Sequence, residues 1–451
     1  MHHLPRMALA TPASGPDPSP AGLAWLAGLQ GVWRVQHFRA RACPLGTEVI
    51  GQFTGLPGRH LDAWLMPEDV LRRLFLRGST HAEFSLVEGT LEPSPRPPVM
   101  GSFCMGPGEL RPIAETLDLP VVAVLPCPPR ESFHLPYVPE GVDAIFLDGL
   151  ERPEDFEFFR RALELTARKP VVGALEVLPE VRAALQDAPR DRPVAFETFQ
   201  ALRQSFLRFA DMAAIRNLSR RRPIVWSVPE APPCPGPQFR VAYAQDDAFG
   251  PYFPDTLEAL EALGADLVEF SPLHHERLPE GVDLVMIGCG YSDQYADALA
   301  ENLSMIASLR SHVCRGQRIY SEGGGTAYLG RSMLIEGRRV AGAGILPFDA
   351  ELQTEIRPPL PVTRTLTRDC WLGPKGTTVQ GYLSPRWRLR PGAVPLACPN
   401  CYGGLTAEGD AYYHHHAVGG LVHLHLGALA DVVKAFAGPH AASLARPSAH
   451  H

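Results

Sequence analysis

No apolar run in this chain reaches the length that a membrane span requires. The apolar stretch near the start, Met7 to Leu9, is too short for a secretory leader, so no membrane partner and a cytoplasmic location are expected. No sign of charge dominates. The formal net charge is −7 with both signs interspersed, which gives no electrostatic ground for a nucleic-acid partner. Cysteine is scarce and odd in number: the nine thiols are scattered, mostly among apolar neighbours as in Ile287-Gly288-Cys289-Gly290. That excludes a disulfide framework and reads as reduced thiols. No repeat is present. The 46 prolines and 41 glycines fall at element ends and in linkers, the pattern of a loop-rich globular protein.

What is there divides in two. At 451 residues the chain has room for two or three domains, and 45% hydrophobic residues can fill ordinary cores. Six prolines between Pro223 and Pro237 cannot form a helix or a central strand and read as a stiff connector. The expected organisation is a domain over residues 1–222, a linker over 223–237, a second domain over 238–440 and a tail over 441–451. In the first half, Val121–Leu125, Ala144–Leu147 and Val171–Leu175 read as buried strands around a helix over Glu154–Ala167. In the second, Phe239–Tyr243, Leu267–Phe270 and Asp283–Ile287 read as strands. Pro254–Leu263 reads as a helix that Asp255 can cap and Gly264 stops. Strand–helix–strand at this spacing argues two α/β domains with parallel sheets, and ligands at the carboxyl ends of the strands.

The second half carries a series of distinctive turns. Ala248-Phe249-Gly250-Pro251-Tyr252-Phe253 is followed by Phe270-Ser271-Pro272-Leu273 and Ile287-Gly288-Cys289-Gly290-Tyr291. Then come Ser321-Glu322-Gly323-Gly324-Gly325, Val340-Ala341-Gly342-Ala343-Gly344 and Val422-His423-Leu424-His425-Leu426. In order and spacing these resemble the class I glutamine amidotransferase domain of the cobyrinic acid a,c-diamide synthase family. Val35–Arg39, Leu61–Leu65 and Ser85–Gly89 resemble, more faintly, that family's P-loop-like (dethiobiotin-synthetase-like) ATP-binding domain. The resemblance implies a ligase of cobalamin (corrinoid) biosynthesis. Such a ligase amidates two carboxylates of a corrin precursor with ATP, magnesium and glutamine.

The same resemblance exposes losses. The family's nucleophilic cysteine follows the glutamate, and here that position is Gly323, which has no thiol for a thioester. Glu322, His423 and His425 match the family, and Gly288, Cys289 and Gly290 match its oxyanion loop. Cys289 there stands in place of a glycine, and a small buried residue in a tight loop is the favoured reading. Without a thiol to serve, His423 and His425 read as core residues on one face of a strand. In the nucleotide loop Ser14, Gly15 and Ser19 match, with Glu88 on a later strand, but the lysine position is Pro18 and the preceding glycine is Asp17. Prolines remove N–H donors and Asp17 opposes phosphate, so ATP binding in the usual mode is not expected. The family's next lysine is Arg39. A late histidine–glutamate motif is also absent from Val379–Pro385.

Two further groups stand out. Cys398 and Cys401 followed by His414 and His416 superficially suit zinc, with a polar loop as the favoured alternative. Arg216 with Arg220–Arg222 reads as a solvated helix end. Three functions remain open: a degenerate homologue that binds a tetrapyrrole or an active synthase partner; an ATP- and ammonia-dependent a,c-diamide synthase; and a protein-interaction subunit with no small ligand. A homodimer is compatible with each.

Overall fold

The computed structural model describes residues 4–12, 19–43, 48–91, 108–132, 134–187, 194–220, 238–355, 358–391 and 402–438. The proline-rich linker, Ser14, Gly15, Pro18, Cys398 and Cys401 lie outside them. The chain divides into two compact units, one within residues 1–230 and the other within 231–451, with residues 43–45 grouped with the second.

The first unit is built on seven strands: β1 (Arg6–Ala10), β2 (Val35–Arg39), β3 (Arg59–His60), β4 (Phe84–Gly89), β5 (Val121–Pro126), β6 (Ala144–Leu150) and β7 (Val171–Glu176). They pair in the order β3-β2-β4-β1-β5-β6-β7. Every pair is parallel. Such a sheet must be covered on both faces, which is why its strands read as near-continuous apolar runs. The helix Pro20–Gln30 is buried over nearly its whole length. Trp25 sits edge-on to Phe146 and Phe206, with ring centroids 5.5 and 5.4 Å away. Phe206 belongs to the helix Phe196–Phe209. The expected helix over 154–167 is an α-helix over Phe156–Ala167 preceded by one 3-10 turn.

The second unit opens with β8 (Phe239–Ala244), β9 (Ala265–Phe270), β10 (Leu284–Ile287) and β11 (Arg318–Glu322). It continues through β12 (Ser332–Ile335), β13 (Arg338–Ala341), β14 (Phe348–Leu352), β15 (Leu360–Thr365), β16 (Thr378–Leu383) and β17 (Trp387–Pro391). It ends with β18 (Tyr402–Gly404), β19 (Ala411–His414), β20 (Ala417–Gly420) and β21 (Val422–His423). The main sheet runs β18-β19-β20-β11-β10-β8-β9. It is parallel from β20 to β9, and β18 and β19 are added antiparallel. Both units are therefore α/β. Two small sheets, β13-β12-β14-β17 and β15-β16-β21, complete the second unit. Among the described residues, no helix is long and apolar enough to cross a membrane.

Three local expectations need correction. Asp255 does not cap the helix Pro254–Ala262: Phe253 holds that position without a side-chain bond, and Asp255 is buried inside. His414 and His416 do not share a strand face, because the chain turns at His415 and His416 between β19 and β20, with φ +52° at His415. His423 ends the two-residue β21 and His425 lies beyond it, so the two do not project from one strand.

Candidate functional site

β10 and β11 are neighbours in the second unit's sheet, and the loops after them meet. The loop after β10 is Gly288-Cys289-Gly290. The turn after β11 is Gly323, at φ +49°, where a short helix Gly323–Leu329 starts. The left-handed backbone of a strand-to-helix turn favours glycine. The two segments are in close approach: a Cβ on Gly325 would lie 2.4 Å from the Ile287 carbonyl oxygen and 2.6 Å from that of Gly288. Gly325 N–H donates to the Gly288 carbonyl at 3.1 Å, which stitches the loop to the turn.

Glu322, the last residue of β11, organises the surroundings. Its Oε1 accepts from the Tyr320 hydroxyl at 2.6 Å and from Leu424 N–H at 3.1 Å. Its Oε2 lies 3.2 Å from Nδ1 of His423. Burial and the Glu322 carboxylate together hold the Tyr320 phenol well above its ordinary range, so it stays a donor. His423 is 1% exposed. The structure thus joins Glu322, Gly323, His423 and the 288–290 loop in one place. It separates His425, whose ring packs tilted against Phe253 at 4.6 Å and lies 3.7 Å from Asp255. Beside the turn is a cavity lined in part by Tyr252, Gly288, Tyr320, Glu322 and Leu424. Tyr252 spans its wall, accepting from Gly288 N–H at 2.9 Å and donating to the Met286 carbonyl at 3.2 Å. Sequence reasoning placed neither Cys289 nor Cys314 at the turn. The structure brings Cys289 to it, whereas Cys314 is exposed at the end of the helix Leu303–Cys314.

The first unit assembles a second cluster at the carboxyl ends of β1, β2 and β4. Ser19 caps the helix Pro20–Gln30, accepting from Gly22 N–H at 2.9 Å. Its hydroxyl donates to Glu88 Oε1 at 2.6 Å. Nε2 of His37 lies 3.0 Å from the other oxygen, Oε2. Burial pushes the Glu88 carboxyl up. The hydrogen bond and charge of His37, Arg39 and Ser19 outweigh that and hold it below the usual carboxylate range. His37 was not singled out from the sequence. No motif marks it, since only the parallel pairing of β2 with β4 sets it opposite Glu88's strand. Each Glu88 oxygen keeps a lone pair beyond its contact with Ser19 or His37, and the segment 13–18 that precedes this helix lies outside the described residues.

The remaining candidates disperse. Nδ1 of His414 lies 2.8 Å from the Ile345 carbonyl, directed into the protein. Among the described residues no group of three or more metal-type side chains comes together. The Arg216 guanidinium lies over the Trp33 ring at 5.5 Å, near the end of the helix Met212–Ser219.

Residues 240–383 match the model of a CobB/CobQ-like glutamine amidotransferase domain. The cobyrinate a,c-diamide synthase of Syntrophotalea carbinolica is 29% identical over 401 residues, covering 84% of this chain and 85% of its own. The chain carries a CobB/CobQ-like glutamine amidotransferase match in its second unit and is similar to cobyrinate a,c-diamide synthases over most of its length. The synthase of Caldanaerobacter subterraneus is 27% identical over 342 residues, covering 72% of this chain and 73% of its own. That of Dehalococcoides mccartyi strain 195 is 28% identical over 420 residues, covering 84% and 86%. A solved glutamine amidotransferase structure aligns with 42% of this chain and 92% of its own at TM-score 0.32 and 16% identity. Against this cobyrinate a,c-diamide synthase background, the Glu322–His423 pair sits beside a glycine.

Proposed function

We infer that this chain is a homologue of the cobyrinate a,c-diamide synthases that binds a tetrapyrrole polycarboxylate without ATP-coupled amidation. One observation carries the reading: the turn that would present a nucleophile is built in full, at φ +49° with Glu322 and His423 behind it, yet the residue on it is Gly323. Position 323 therefore forms no thioester. The nucleotide side agrees, because Ser19 and His37 contact the Glu88 carboxylate and the sequence position that resembles the family's lysine is Pro18. The ligand class comes from the relatives, which are named as synthases of cobyrinate a,c-diamide and align with most of this chain.

The test is an absorbance titration of the purified protein with cobyrinic acid, its a,c-diamide and a metal-free precursor, with and without Mg-ATP and ammonia. Binding that ignores ATP, with no diamide formed, supports the reading. ATP-dependent diamide formation overturns it in favour of an ammonia-using synthase. Silence with every tetrapyrrole also overturns it and leaves a protein-interaction subunit.

A further inference from the structure

At the amino ends of β10 and β11, the other end of β10 from the 288–290 loop, lies a cavity of about 430 Å³. One wall is the segment that leads into β10, with Arg277, Glu280 and Asp283. The other is the end of the helix Leu303–Cys314 and the turn after it, with His312 and Arg315. Two guanidinium groups and two carboxylates thus line one cavity, yet no two of the four form an ion pair. Arg315 donates to the Ser311 hydroxyl at 2.8 Å, and Asp283 Oδ2 accepts from Arg240 N–H at 2.9 Å. The Arg277 guanidinium and the Glu280 carboxylate make no bond among the described residues. His312, 1% exposed, supplies a second and independent observation. Its Nε2 lies 3.0 Å from the Arg318 carbonyl, which can only accept, so Nε2 carries the proton and Nδ1 the lone pair. Nδ1 makes no hydrogen bond and is not sealed from solvent, so this lone pair opens onto the cavity that His312 lines. Burial pushes the imidazole down from 6.5 to about 4, which keeps it a neutral acceptor near neutral pH. Leu278 and Val282 give the same cavity an apolar side.

We propose that this cavity binds a free α-amino acid with an apolar side chain. The lining calls for a ligand that carries both signs of charge. An anion alone leaves Glu280 and Asp283 facing it, and a cation alone leaves the two arginines. A zwitterion answers both. Its carboxylate takes the guanidinium groups of Arg277 and Arg315, one from each wall, as charge-assisted hydrogen bonds. Its ammonium has three donors, and Glu280, Asp283 and the His312 lone pair are acceptors for them. Its side chain lies against Leu278 and Val282. The cavity falls in the size range of small-molecule sites. The four-residue β10 separates it from the 288–290 loop, and it shares no residue with the Glu322–His423 group. The site therefore goes beyond the reading given above.

The test is equilibrium dialysis of the full-length protein against radiolabelled L-leucine up to millimolar concentration. Saturable binding is expected. Unlabelled N-acetyl-L-leucine lacks the ammonium and L-leucinamide lacks the carboxylate. Each is expected to compete at least about tenfold more weakly than unlabelled L-leucine, because one charged hydrogen-bonding group is lost. Arg277→Gln and Arg315→Gln change exposed side chains, and each is expected to weaken leucine binding at least about tenfold. Arg161→Gln, at an exposed arginine of the first unit, is expected to change nothing. Absence of saturable binding by the wild-type protein overturns the proposal and needs no variant to be folded. Competition by either derivative as strong as that of leucine overturns the need for both charges. Full affinity in both variants of Arg277 and Arg315 overturns the site. None of these readouts involves a tetrapyrrole, so the outcome is separate from that of the titration.

Discussion

At the scale of single residues, two glycines on one turn do different work. Gly323 suits its backbone, at φ +49°, and a Cβ there would also crowd His423 and Cys289. Gly323→Ala is expected to lower stability by about 1–2 kcal/mol, read from urea unfolding midpoints. Gly323→Cys alone should be no better tolerated, whereas pairing it with Cys289→Gly should recover part of the loss by removing the 3.1 Å contact. Gly325 is demanded by space, since its Cβ would meet backbone carbonyl oxygens at 2.4 and 2.6 Å. Backbone cannot rotate away, so Gly325→Ala is expected to cost more, about 2–3 kcal/mol. A gain in stability from either alanine would show the turn to be open. The sequence exposed the missing thiol at 323 because flanking residues fix the register. It could not pair 323 with 289, because that contact depends on β10 lying beside β11.

At the scale of elements, two buried groups couple the fold to pH. Glu88 near the end of β4 is held below the usual carboxylate range by His37, Arg39 and Ser19. Because its folded value is depressed, its contribution is present above the ordinary carboxylate range. It is lost as pH falls through the lowered value. Glu88→Gln should therefore destabilise the protein near neutrality, by about 1–3 kcal/mol, with the gap closing on acidification. A gap that does not depend on pH would refute the charge-based account. His312, in the helix Leu303–Cys314, is 1% exposed and lies 3.0 Å from the Arg318 carbonyl. Burial pushes its imidazole down from 6.5 to about 4. The unfolded chain binds the proton first, so stability falls as pH drops through 6.5 toward about 4. From about pH 7 to about pH 4 this single group is expected to cost about 3 kcal/mol, a dependence that His312→Gln should remove from urea midpoints. The strands and helices themselves were legible, since apolar runs such as Val121–Leu125 mark a sheet covered on both faces. Asp255 was misread. Its residue type suits a cap, but the helix begins at Pro254, two residues earlier than a capping role needs, and the carboxylate turns inward toward His425.

At the scale of the whole molecule, the two units let nucleotide binding be read without an activity assay. A ligand that binds only the folded state raises the unfolding midpoint with its concentration. Mg-ATP is expected to leave the melting temperature unchanged, while a bound tetrapyrrole should raise it. A rise with Mg-ATP would restore the nucleotide-using reading. By itself the sequence determined the α/β class, the strand cores and the residue at each family position, because apolar periodicity and motif spacing are local properties of the chain. Only the tertiary structure decided which side chains meet. It set His37 on Glu88, separated His423 from His425, and placed Cys289 beside the thiol-less turn. Those meetings arise from strands far apart in sequence lying in register, and no local pattern encodes such a distance.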